Sequence, residues 1–164
     1  MGNLFTLSSH TRTHIDAPSH MFEEGRKLGN YSISSFWDNS IIIGWAKLWG
    51  KESYFEGYSS LTVEAIQFLA DKNIVGIATI TIIIDSVGPE IFFDPHHVLS
   101  RKDMLIVENL PDQEEIKTDH FYFPCMPLKI AGSEASPVRA FVVEMQRRDP
   151  AGIFSLNIGP LLFS

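Results

Sequence analysis

Three things are scarce in this chain, and each scarcity excludes a class of protein. Its 164 residues include one cysteine, Cys125, so no internal disulfide framework can form, which suits a reducing compartment. Basic residues are few: 13 Lys and Arg stand against 20 Asp and Glu, a formal net charge of −7. With no basic stripe in the sequence, a nucleic-acid partner is not expected. Long apolar runs are also missing. The longest, Ile74 to Ile84, is broken by Gly76, Thr79 and Thr81 and falls short of the roughly 20 residues that a bilayer-spanning helix needs. No membrane partner is expected either. Met1 to Ser9 lacks the basic start and apolar core of a secretory signal, which makes the cytoplasm the expected location.

What is present is ordinary for a globular enzyme-sized chain. Hydrophobic residues make up 45% and charged residues 20%, and the length suits one domain with a sizeable core. No internal repeat or low-complexity linker interrupts it.

The chemistry concentrates near the N-terminus. His10-Thr-Arg-Thr-His14-Ile-Asp16-Ala-Pro18-Ser-His20 places three of the six histidines and a carboxylate within a short run. Neutral imidazole and carboxylate are what zinc or manganese accepts, and the neighbouring threonines can orient such ligands by hydrogen bonding. A regular strand would hold His10 and His14 roughly 13 Å apart, too far for one ion. A regular helix would bring them together but send Asp16 elsewhere, and Pro18 would break its ladder. The segment must therefore bend.

Elsewhere the pattern predicts alternating strands and helices. Ile41–Leu48 and Val75–Ile84 are β-branched and read as buried strands. Leu61–Lys72 reads as a helix with Thr62 as cap, Glu64 at the positive end of the dipole, and Ile66, Leu69 and Ala70 on the core face. Asn73 suits a left-handed helix stop. Asp94-Pro95 opens a second helix, which carries His96 and His97. Met104–Val107 is a strand that delivers Glu108. Tyr122–Ile130 and Val138–Met145 are further strands, the first bent by prolines. Cys125 reads as a buried strand residue, Asp85 as a loop organiser, His120 as an exposed loop residue and Arg139 as an ion-pairing residue. Phe36, Trp37, Trp45 and Trp49 read as packing.

Three blocks together resemble the metal-dependent cyclase-like hydrolases, the family that includes bacterial kynurenine formamidase and isatin hydrolase. The first block matches the signature His-x-Gly-Thr-His-x-Asp-x-Pro-x-His except at Arg12, which stands for the glycine. The second is Asp94-Pro-His96-His97-Val-Leu99 with Met-Leu-Ile-Val-Glu108-Asn-Leu110. The third is Pro127-Leu-Lys-Ile with Ala135-Ser-Pro137-Val-Arg139-Ala.

The resemblance implies an α/β fold, the swivelling β/β/α single domain with a mixed sheet and flanking helices. Residues 1–146 are expected to form it, short at the N-terminus, with 147–164 a tail matching no motif. The resemblance also implies one or two divalent ions, Zn or Mn. His10, His14 and Asp16 would hold one, and Asp16, His96 and Glu108 a second. The position of Leu99 selects His96 over His97. His20 would be the catalytic proton relay, the substrate a small-molecule amide, and the protein a homo-oligomer, dimer or tetramer. Arg12 would either repel the metals or bind an acidic substrate. The alternative is a metal-binding or oligomeric binding protein of the same fold with weakened turnover.

Overall fold

The computed structural model describes residues 4, 6–37, 40–43, 51–55, 58, 60–86, 94–111, 116, 118–145 and 156–158. Nine strands and two α-helices are assigned there: β1 His14–Asp16, β2 Ser40–Ile43, α1 Val63–Ala70, β3 Gly76–Thr79, α2 Asp94–Arg101, β4 Leu105–Glu108, β5 Phe121–Tyr122, β6 Cys125–Pro127, β7 Ala135–Ala140, β8 Val143–Met145 and β9 Leu156–Ile158. A six-stranded sheet runs in the order β2-β3-β4-β1-β7-β6, and β5-β8-β9 form a second sheet. Strands β2, β3 and β4 are parallel. Strand β1 lies antiparallel between β4 and β7, so the main sheet is mixed, with helices beside it, as expected.

Both faces of the main sheet are covered, which explains its apolar central strands. On one face Ile77 and Ile106 pack with Ile66 of α1 and Leu99 of α2. On the other, Ile15, Ala78, Leu105 and Val107 pack with Leu28, Phe36, Tyr54, Phe123 and Cys125. The strand period of two puts neighbours on opposite faces, so residues flanking Ile15 face the helices. Those residues are His14 and Asp16. Thr62 caps α1 by accepting from Ala65 N at 3.3 Å, and Glu64 lies in the first turn. Asn73 is not left-handed; among the described non-glycine residues only Arg12, Asp103 and Asn109 have positive φ. The helix instead ends on Asp71 N and Lys72 N, which donate to Gln67 O and Leu69 O.

Three predicted strands are divided or shortened. The Ile74–Ile84 run leaves the sheet after Thr79. Thr79 and Thr81 hydroxyls pair at 2.7 Å, and Thr81 Oγ1 donates to Ile83 O at 2.8 Å. These bonds compete with the ladder and turn the chain across the end of β4, where Asn109 N reaches Thr81 O at 2.9 Å. Tyr122–Ile130 and Val138–Met145 each split between the two sheets, β5 pairing with β8 and β6 with β7. Phe141 N donates to Pro124 O at 3.1 Å at this corner. Strand β9, in the stretch read as a tail, pairs with β8. Residues 44–48 of the first predicted strand, with Trp45 and Trp49, lie outside the described residues. No helix among the described residues is long and apolar enough to cross a membrane.

After β1 the chain makes a tight turn at Pro18–His20, and the next loop folds back over it. Phe22 N donates to Pro18 O at 3.1 Å and Ser19 N to Arg26 O at 3.2 Å. Gly25 permits this approach, since a Cβ there would sit 2.5 Å from the Pro18 carbonyl carbon and 2.6 Å from Ser19 N. Backbone, not a flexible side chain, blocks the space. Gly25→Ala is therefore expected to cost about 1–3 kcal/mol in urea unfolding; unchanged stability would show that the two loops separate freely.

Candidate metal centre

His14 and Glu108 stand directly opposite each other in the β1–β4 ladder, and Asp16 follows His14 by one strand period. All three therefore share the helical face, and all are buried. Helix α2 brings in His96, also buried. His14 Nε2 lies 3.6 Å from Asp16 Oδ2 and 3.6 Å from Glu108 Oε2. His96 Nε2 lies 3.7 Å from Asp16 Oδ2 and 3.5 Å from Glu108 Oε1. Two imidazoles from different elements thus direct the same nitrogen at the same two carboxylates.

Each ring is anchored from behind. His14 Nδ1 donates to the Arg12 carbonyl at 2.7 Å. His96 Nδ1 donates to Asp85 Oδ2, and His96 N donates to Asp85 Oδ1 at 3.3 Å. Thr13 Oγ1 donates to Asn109 O at 2.8 Å. The orienting carbonyl at Arg12 depends on its left-handed backbone, φ 59°. That conformation costs a non-glycine residue roughly 1–2 kcal/mol, which gives a conformational reason for glycine in the signature. The Arg12 side chain is exposed.

The bends that the sequence requires lie on either side of β1. A turn closed by Thr11 N donating to Ser8 O, at 3.3 Å, brings the His10 and His14 ring centroids within 5.0 Å. The Pro18–His20 turn brings His20 to 4.4 Å from the His10 ring and 5.8 Å from His96. His10 Nδ1 approaches Asp16 Oδ1 at 3.1 Å, and its Nε2 lies 3.6 Å from Glu134 Oε1. Donor atoms of His14, Asp16 and Glu108 lie close enough to hold one ion, and so do those of His10, Asp16 and His20. His20, read as a proton relay, is thus also within ligand reach. His97 packs its ring on Phe22, and His120 is exposed.

Electrostatics follow from this crowding. Burial pushes the Glu108 pKa up; the His96 charge opposes this, Asp16 adds to it, and the result is about 8. Burial alone would also raise Asp16, but His10 and His96 overcome it and hold the carboxyl well below its usual range. Burial lowers His96, yet its proximity to Asp16 and its bond to Asp85 raise it to about 10. His10 is raised by its contact with Asp16, and His20 is lowered by burial. Cys125 is pushed up to about 12 by burial and donates to Phe36 O at 3.3 Å, consistent with a packed thiol.

The donor set fits a divalent cation. Both Asp16 oxygens are buried without a hydrogen bond of proper geometry; Oδ2 faces His14 and His96, whose rings are held from behind, and Oδ1 faces His10. Sequence reasoning missed two neighbours. Half-exposed Glu134 lies between the two parts of the third block and carries no motif signal of its own. Tyr58 is buried, its hydroxyl without a hydrogen bond, and burial raises its pKa to about 12 with help from the Glu108 and Asp85 charges. The Asp85 contact with His96 was equally invisible, because eleven residues separate them.

Known proteins share this arrangement of chain. No family model matches. An uncharacterised protein of Methanocaldococcus jannaschii is 31% identical over 156 residues, spanning 84% of this chain and 80% of its own. The kynurenine formamidase of Delftia acidovorans is 26% identical over 166 residues, spanning 82% and 76%. The chain belongs to the cyclase-like metal-dependent hydrolases. Solved structures agree on the family's α/β fold. An isatin hydrolase bound to the product analogue thioisatinate superposes with TM-score 0.72 at 20% identity, over 85% of this chain and 73% of that one. A structure described as a potential metal-dependent hydrolase with cyclase activity gives 0.66 at 21% identity, over 84% and 80%.

A cation needs deprotonated carboxylates and bare imidazole nitrogens. Below pH 8 the metal-free centre holds protons on both Glu108 (about 8) and His96 (about 10), and the cation must displace them. Apparent metal affinity is expected to rise from pH 6 to pH 8, with protons released on binding. Calorimetry in buffers of different ionisation enthalpy checks this, and binding with no proton release counts against these ligands.

Proposed function

We propose that this protein is a divalent-metal-dependent hydrolase of an amide-type carbon–nitrogen bond. The carrying observation is the convergence of His14 Nε2 and His96 Nε2 on buried Asp16 and Glu108, in a chain of this family. His10 completes the ligand set. A divalent ion, zinc or manganese, would supply Lewis acidity, bringing the pKa of water from about 15.7 toward about 7 and polarising a carbonyl. The residues supply the rest. His14 and His96 stay fixed through Nδ1. Asp16, with one oxygen toward His10 and the other toward His14, would supply carboxylate ligands to the ion or ions held there. His20, beside His10 and His96, takes the proton from the attacking water and returns it to the leaving nitrogen. Water adds to the carbonyl carbon, the carbon–nitrogen bond breaks, and an acid and an amine leave.

The relatives' names favour two substrate classes, an N-formyl aryl amine and a fused aryl lactam. Metal-loaded protein is expected to hydrolyse at least one, and chelator-treated protein neither. His20→Ala should lower kcat about 10²–10⁴-fold with metal content unchanged; loss of metal as well would make His20 a ligand. A loaded protein inert on both classes would favour the binding-protein alternative.

Arg12, exposed in the turn before β1, is proposed to pair with a carboxylate on the substrate. Its backbone already serves His14, so Arg12→Gly should leave metal affinity alone and raise KM for carboxylate-bearing amides only. Tighter metal binding together with faster turnover would instead show that the guanidinium weakens the centre.

A further inference from the structure

Among the groups around the centre, Asp85 has a geometry that its neighbours lack. It is wholly buried, yet both of its oxygens are engaged by one residue, the His96 backbone N and the His96 ring. The preceding residue does the corresponding job for the other carboxylate: Ile84 N donates to Glu108 Oε1 at 2.6 Å. Two successive residues therefore tie α2 to the end of β4.

Resting on the metal-centre reading above, we infer that Asp85 is a positioning residue for His96, fixing its imidazole through Nδ1 so that Nε2 alone faces the cation. The two histidines then differ in kind. His14 leans on a neutral carbonyl, His96 on a carboxylate, and an anionic partner makes an imidazole the stronger electron donor. His96 is the firmer of the two ligands. A helix cap explains less. Capping α2 needs one oxygen on a backbone N–H, whereas Asp85 spends its second oxygen on the ring.

The distinction is measurable by chelator competition for zinc on the full chain, with the absorption spectrum of the cobalt-substituted protein as a second readout. Asp85→Ala should weaken zinc binding about 10–100-fold. Asp85→Ser, whose shorter side chain cannot reach the ring, should weaken it as much. Asp85→Asn, nearly isosteric, should lose less than tenfold and shift the cobalt spectrum. In a His96→Ala background, Asp85→Ala should change nothing further. Wild-type affinity in Asp85→Ser, or an equal loss in the His96→Ala background, would overturn the inference and leave Asp85 a cap. A wild-type chain that binds no divalent ion would sink the metal centre and this inference together. Tight binding with the expected Asp85 pattern but no amide hydrolysis would uphold the inference and remove only the proposed activity.

Discussion

Two carboxylates buried a few ångströms apart are the constraint to which the rest of this structure answers. Removing an ionised carboxylate from water costs several kcal/mol even after relaxation, and Asp16 and Glu108 also repel each other. The rise of Glu108 to about 8 is that repulsion and burial expressed as proton affinity. The compensation comes from nitrogen: His10 and His14 from the same segment, His96 from a helix that arrives across the sheet face. A divalent ion would offset the remaining negative charge more completely than imidazole protons do.

Holding that arrangement together needs rigid backing, and the fold supplies it with main-chain groups wherever it can. Arg12 gives its carbonyl to His14, Ile84 its amide to Glu108. Both come from places where regular structure stops. Arg12 adopts a left-handed turn before β1, and Ile84 lies beyond the point where β3 abandons its ladder. Backbone groups freed from a strand are obliged to find partners, and here those partners are the side chains of the centre. The shortening of the predicted Val75–Ile84 strand is therefore part of how the site is built. A β-branched run carried to its end as a strand would have placed Ile84 and Asp85 away from Glu108 and His96.

Much of the chemistry was legible because it is local. His10, His14, Asp16 and His20 sit within one short segment, and only a bent segment can bring those donors together. A strand at His14–Asp16 was not among the expected elements; once it is formed, its period of two puts His14 and Asp16 on one face and Ile15 on the other. Thr62 and Glu64 announced the start of α1, and Asp94-Pro95 that of α2, since capping depends on neighbours in sequence. Asn73 misled because Asp71 and Lys72 amides close the helix without a left-handed residue.

What sequence by itself determined was the identity of the donors and the need for the segment that carries them to bend. Only tertiary structure decided which donors meet. The register that sets His14 opposite Glu108, the path that delivers Asp85 to His96 and the approach of Glu134 to His10 each join residues with no local relation. Such contacts are fixed by how two covered faces pack against one sheet, a property of the whole chain that no single segment carries.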